Sequence, residues 1–74
     1  MNICDLKKGE RALIMRVTCP KEMKERLKSL GIYISAEIVL LKISLFKSTY
    51  LIEAGGAKIA IGRGAAEGVQ VWKK

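Results

Sequence analysis

The sequence predicts a mainly β domain: a small, partly open five-stranded barrel with one short α-helix inserted between the first and second strands. Three observations lead there. Only Pro20 to Ile32 carries apolar residues at helical spacing. The remainder divides into five short runs rich in β-branched and aliphatic residues, separated by turn signals. Five such strands would leave long edges open to pairing with other chains, and closure into a barrel removes most of that exposure. The 74 residues make one domain, near the lower size limit at which a core alone suffices. Apolar residues make up 50% and aromatics only 5%, so the core has to be aliphatic.

In chain order, the lead segment Met1 to Leu6 is followed by the turn signal Lys7-Lys8-Gly9-Glu10. Arg11 to Val17 then reads as a strand with Leu13, Met15 and Val17 facing the core and Ala12, Ile14 and Arg16 on the second face. In the helix, Met23, Leu27 and Leu30 fall at i, i+4 and i+7 and form one apolar stripe that is expected to be buried. Pro20 suits the first helical position, because its missing N–H would have no partner there. Gly31 supplies the stop. As the left-handed C′ residue of a Schellman cap it makes Leu27 the C3 and Ile32 the C″ position, two side chains that meet across such a cap. A helix of about three turns is marginal alone in water, so it must rest on the sheet.

Tyr33-Ile34-Ser35-Ala36 leads into a strand from Glu37 to Leu45, with Val39, Leu41, Ile43 and Leu45 expected as its core face. Phe46-Lys47-Ser48 turns the chain. Thr49–Ala54, Gly55-Gly56 and Ala57–Gly62 form a hairpin, since two glycines can both adopt the positive φ of a two-residue primed turn. That register pairs Ala54 with Ala57, Glu53 with Lys58, Ile52 with Ile59 and Tyr50 with Ile61, placing opposite charges on one face and apolar residues on the other. Arg63 to Gly68 is expected as a tight connection of small residues, and Val69 to Trp72 as a last short strand before a basic tail.

The chemistry of the side chains narrows the function. There is no histidine, which excludes Ser–His and Cys–His nucleophilic pairs and removes the commonest general base and metal ligand. The acids Asp5, Glu10, Glu22, Glu25, Glu37, Glu53 and Glu67 are scattered and read as solvated surface charges. No run has the spacing of a cation loop. Gly62-Arg63-Gly64 is neither a P-loop nor a dinucleotide fingerprint, because it follows a hairpin strand and is not expected to open a helix; turn geometry is its expected role. The chain is therefore expected to be a non-enzyme with no cofactor and no metal site. Cys4 and Cys19 read as reduced, semi-buried thiols. No apolar run approaches the roughly 20 residues of a membrane span, and the N-terminus lacks the order of a signal peptide, so a cytoplasmic location is expected. A net charge of +7 favours anionic partners: nucleic acid, a membrane surface or an acidic protein face. Tyr33, Phe46, Tyr50 and Trp72 are not interleaved with basic residues on one strand face, as a base-stacking platform for single strands would require.

The blocks Leu6-Lys7-Lys8-Gly9-Glu10-Arg11-Ala12, Arg26-Leu27-Lys28-Ser29-Leu30-Gly31-Ile32 and Ile59-Ala60-Ile61-Gly62-Arg63, followed by Ala66, Val69 and Val71, resemble the FeoA family, ferrous iron transport protein A. The resemblance covers nearly the whole chain. Its most specific part is the RLxxLGI block placed after the G-E-x-A strand start. It implies an SH3-like small barrel and a small cytosolic accessory protein of FeoB, the membrane-embedded GTP-binding transporter of ferrous iron. Ser35-Ala36 stands where the family usually has Pro-Gly, and Gly62 stands where an arginine is common beside Arg63. On this reading Arg26, Leu27, Leu30 and Gly31 set the helix and its neighbouring cleft, with Leu27 and Leu30 mainly structural, and Arg63 is a surface contact; together they are the candidate partner-binding residues. The alternatives are a small basic barrel that binds nucleic acid and the isolated SH3-like module of an iron-dependent regulator. These residues contain no helix-turn-helix pattern, which favours the stand-alone form.

Overall fold

A computed structural model describes residues 1–74. The strands β1 (Arg11–Val17), β2 (Glu37–Ile43), β3 (Thr49–Ala54), β4 (Ala57–Gly62) and β5 (Val69–Lys73) form one antiparallel sheet in the order β4-β3-β2-β1-β5. Helix α1 (Lys21–Ser29) lies between β1 and β2 in the chain, as expected. A 3₁₀ turn covers Ile3–Asp5, and a short helix, α2 (Arg63–Glu67), joins β4 to β5. The connection from Arg63 to Gly68 is thus helical, and Gly62-Arg63-Gly64, expected to open no helix, supplies the N-cap and first turn of α2.

The barrel does not close. No ladder joins β4 to β5, which are the two edges of the sheet. The physical reason is α2: it runs directly from one edge to the other and packs against β3, β4, β5 and the 3₁₀ turn. Ala66 of α2 and Ile3 of the 3₁₀ turn are fully buried in the same core, so side chains fill the gap that strand pairing would otherwise have closed.

The hairpin β3–β4 has the expected register at every pair, with Gly55 at φ 59° and Gly56 at φ 84°. Tyr50, Ile52, Ile59 and Ile61 all face the core. The two earlier strands correct the expected parity. In β1 it is Ala12, Ile14 and Val17 that are buried, while Leu13 is only partly covered and Met15 is exposed. Against β5 the register shifts between Ile14 and Arg16, and that irregularity breaks the alternation. A pattern extrapolated backwards from Val17 therefore selects the wrong face. The same happens in β2, where Ile38 and Leu40 are buried and the register against β3 shifts between Leu40 and Lys42. Val39 and Leu41 are half-buried, Ile43 packs against the core, and Leu45 lies in the following turn, exposed.

Helix α1 begins one residue later than expected, because Pro20 is its N-cap at φ −55°, ψ 152°. Its C-terminus is the expected Schellman cap. The N–H of Ile32 donates to Leu27 O at 2.8 Å, the N–H of Gly31 donates to Lys28 O at 3.1 Å, and Gly31 has φ 103°. Leu27 and Ile32 are both buried in the core. The apolar stripe is only partly covered, however: Leu27 is 3% exposed, Met23 39% and Leu30 44%. Cys4 and Cys19 are free thiols of intermediate exposure. No helix is long and apolar enough to cross a membrane.

Candidate docking groove

The incomplete burial of α1 follows from what faces it. Met23, Arg26, Leu27 and Leu30 form one wall of a groove of about 380 Å³, whose other wall is Ala60, Ile61 and Gly62 of β4 with Gly64 and Ala65 of α2. Four of those five residues carry one side-chain carbon or none. A Cβ built on Gly62 or Gly64 would meet nothing within 4 Å, so the wall is open at both positions. Side chains this small cannot reach Met23 and Leu30. The sequence thus leaves an apolar trough with a single cation, Arg26, on its rim, beside Glu22 and Met23.

Of the residues expected from the sequence, Arg26, Leu27 and Leu30 come together here. Gly31 lies outside the groove, near Ala54, and acts through the cap that fixes the end of α1. Arg63 adjoins the groove through its backbone, between Gly62 and Gly64, but its guanidinium turns to Glu67, with Nε 3.6 Å from Oε2. Its N–H donates to Ser48 O at 3.0 Å. The helical spacing places Met23 in the core, and no local pattern marks Ala60, Gly62, Gly64 and Ala65 as a groove wall. The signal for them is the run of small residues at alternate positions, which is legible only once α1 is known to lie opposite.

A second trough of about 310 Å³ runs along α1 between Lys24, Lys28, Val17, Ile32, Tyr33 and Ile34. Helix α1 is therefore flanked by apolar surface lined with cations on each side. Elsewhere the titratable groups serve the fold. Glu10 is held below the ordinary carboxylate range by the Lys73 ammonium, with which it forms an ion pair, and by the N–H of Lys7 at 2.6 Å. The phenol of Tyr50 is raised above the ordinary tyrosine range by the neighbouring Cys4 thiol and by burial. Both thiols lie against carbonyls of α2: Cys4 Sγ is 4.0 Å from Arg63 O and Cys19 Sγ is 3.8 Å from Ala65 O. No three His, Cys, Asp or Glu side chains cluster as metal ligands would. The exposed aromatics Tyr33, Phe46 and Trp72 sit on separate parts of the fold.

A single small sheet, bent around an aliphatic core and overlaid by one capped helix, is the architecture of SH3-like β modules. Residues 1–73 match the model of the FeoA domain, and the chain belongs to that family, which is associated with ferrous iron transport. A search of curated proteins found no match. Among solved structures, the FeoA protein from Chlorobium tepidum is 27% identical with a TM-score of 0.91, the alignment covering 96% of this chain and 68% of that one. The iron(II) transport protein A from Clostridium thermocellum is 22% identical with a TM-score of 0.90, covering 96% of this chain and 44% of that one. A manganese-dependent transcriptional repressor superposes with a TM-score of 0.91 at 18% identity, over 100% of this chain and 36% of that one. The last two show likeness of fold alone.

Proposed function

We propose that this chain is a cytoplasmic accessory protein of ferrous iron uptake that uses the groove beside α1 to dock on the cytosolic part of a FeoB-like GTP-binding transporter. It acts by being held by its partner, with no bond made or broken. The observation that supports the reading is the half-exposed pair Met23 and Leu30 facing a wall of alanine and glycine. Apolar side chains aligned over an open trough, with Arg26 at the rim, offer the buried centre and charged margin of a protein contact. Leu27 is the floor of the groove and mainly structural.

The test is titration of the whole chain against the transporter's cytosolic domain, with and without guanine nucleotide. Saturable binding is expected, weakened about tenfold or more by Leu30→Ser, since truncation of a central contact typically costs more than about 1 kcal/mol. Leu30 is 44% exposed, so the melting midpoint should shift little. Absence of saturable binding in either nucleotide state removes the docking role.

A further inference from the structure

The turn Ser44–Ser48, between β2 and β3, presents Leu45 at 88% and Phe46 at 83% exposure, the most exposed large apolar side chains in the protein. The turn is firmly built. Ser44 Oγ accepts from the N–H of Ser48 at 3.0 Å and of Thr49 at 2.9 Å, and the N–H of Lys47 donates to Ser44 O at 2.9 Å. Lys47 itself takes φ 56°, the left-handed conformation that non-glycine residues rarely adopt. The backbone is thus ordered so as to hold two large apolar groups away from the core.

The charge carried by the turn and the strand segments that flank it is of one sign. Between Glu37 and Glu53 the chain carries Lys42 and Lys47 and no acid. The turn bearing Lys7 and Lys8 lies against the same strand, with the N–H of Gly9 donating to Leu40 O at 2.7 Å; Glu10, whose O accepts from the N–H of Leu40 at 3.0 Å, has its carboxylate paired with Lys73. Arg63 adds little, because Glu67 pairs with it.

We propose that the Ser44–Ser48 turn is a membrane-contacting tip, whose Leu45 and Phe46 enter the headgroup–acyl boundary of an anionic bilayer while Lys42 and Lys47 rest at the phosphate level. An exposed aromatic and an exposed aliphatic side chain on one turn, with Lys42 on the strand leading into it and Lys47 beside them, match the mixed polarity of such an interface. The basic surroundings match the sign of anionic lipid. Charge favours the bilayer over a protein pocket: neither Lys42 nor Lys47 forms an ion pair, while Glu10 and Glu67 are already paired with Lys73 and Arg63. Two side chains and a few lysines give weak, reversible attachment. The inference stands independently of the groove, although Thr49, which follows the turn, pairs with Gly62 in the groove wall, so an occupant of the groove would sit near the same bilayer.

Co-sedimentation of the whole chain with vesicles of phosphatidylcholine, and of phosphatidylglycerol and phosphatidylcholine in equal parts, tests it. Binding to the anionic vesicles is expected, with little to the neutral ones. The variant L45S/F46S should lose about tenfold or more of that binding, as expected for removing two buried apolar groups, while its melting midpoint holds. Independently, Phe46→Trp in a Trp72→Phe background should shift its emission to the blue on anionic vesicles alone. Three results would overturn the proposal. They are no binding to anionic vesicles, equal binding by L45S/F46S, which means adsorption by charge only, and loss of self-association in L45S/F46S with lipid binding intact, which means the tip covers a second copy.

Discussion

Gly31 shows how much one backbone torsion can carry in a protein of this size. At φ 103° it lets the chain turn back so that the N–H of Ile32 reaches Leu27 O, tying the end of α1 to the core. A Cβ at this position would sit 3.7 Å from Ala54 O and 3.8 Å from Ala54 Cβ, which is ordinary contact. Steric room is therefore not the issue. The effect of Gly31→Ala comes from the left-handed torsion, about 1–2 kcal/mol. Since about 1 kcal/mol moves the midpoint of a small domain by about 4–8 °C, thermal unfolding should show a clear fall; an unchanged midpoint would mean that the torsion is not strained for alanine. This residue was legible in the sequence because a Schellman cap is local: the glycine, the helical stripe and Ile32 lie within a few positions of one another. The exposure of Met23 and Leu30 was not legible. It depends on Ala60, Gly62, Gly64 and Ala65, far away in the chain, being too small to cover them.

At the scale of elements the same division holds. The β3–β4 register follows from Gly55-Gly56, since a two-residue turn fixes every later pair. In β1 and β2 the irregularities at Ile14/Arg16 and Leu40/Lys42 arise from pairing with strands distant in sequence, and each turns the apolar alternation over partway along. The arrangement also makes β1 depend on the chain's last strand. Glu10, just before β1, pairs with Lys73 at the end of β5 and accepts from the N–H of Lys7. Its carboxyl titrates below its ordinary value in the folded protein, chiefly through the Lys73 contact, so the unfolded chain binds the proton first as pH falls. The stabilisation is therefore present above the unfolded carboxylate range and lost as pH drops through the folded value. Glu10→Gln should melt below the parent protein at neutral pH, and the gap should narrow as pH falls from the ordinary glutamate range through the lower folded value. Melting midpoints of the two proteins across that range check it, and a gap that persists in acid would assign the effect to packing instead.

For the molecule as a whole, the decisive feature is that a helix, and not a pair of strands, spans the opening in the sheet. Unpaired strand edges are a hazard, so the strand pattern alone predicts a sheet curled toward closure. Arg63 to Glu67, rich in small residues, instead winds into one helical turn and presses Ala66 into the core between the edges. Neighbouring positions in α2 should then respond with opposite signs. Ala66 is fully buried, so Ala66→Leu overfills the seam and should cost about 1–3 kcal/mol. That is a large share of a total expected at about 4–11 kcal/mol for a chain of this length. Gly64, two residues earlier, has open space where a Cβ would go and a helical setting, so Gly64→Ala should be neutral or stabilising by up to about 1 kcal/mol. Denaturant unfolding of the two variants beside the parent protein decides the point. If both are neutral, α2 is a loose connection and the core does not depend on it. If Ala66→Leu alone is destabilised, the helix is the seal of the open sheet, and the alanine and glycine that shape the groove on its outer side belong to the same element that holds the fold together.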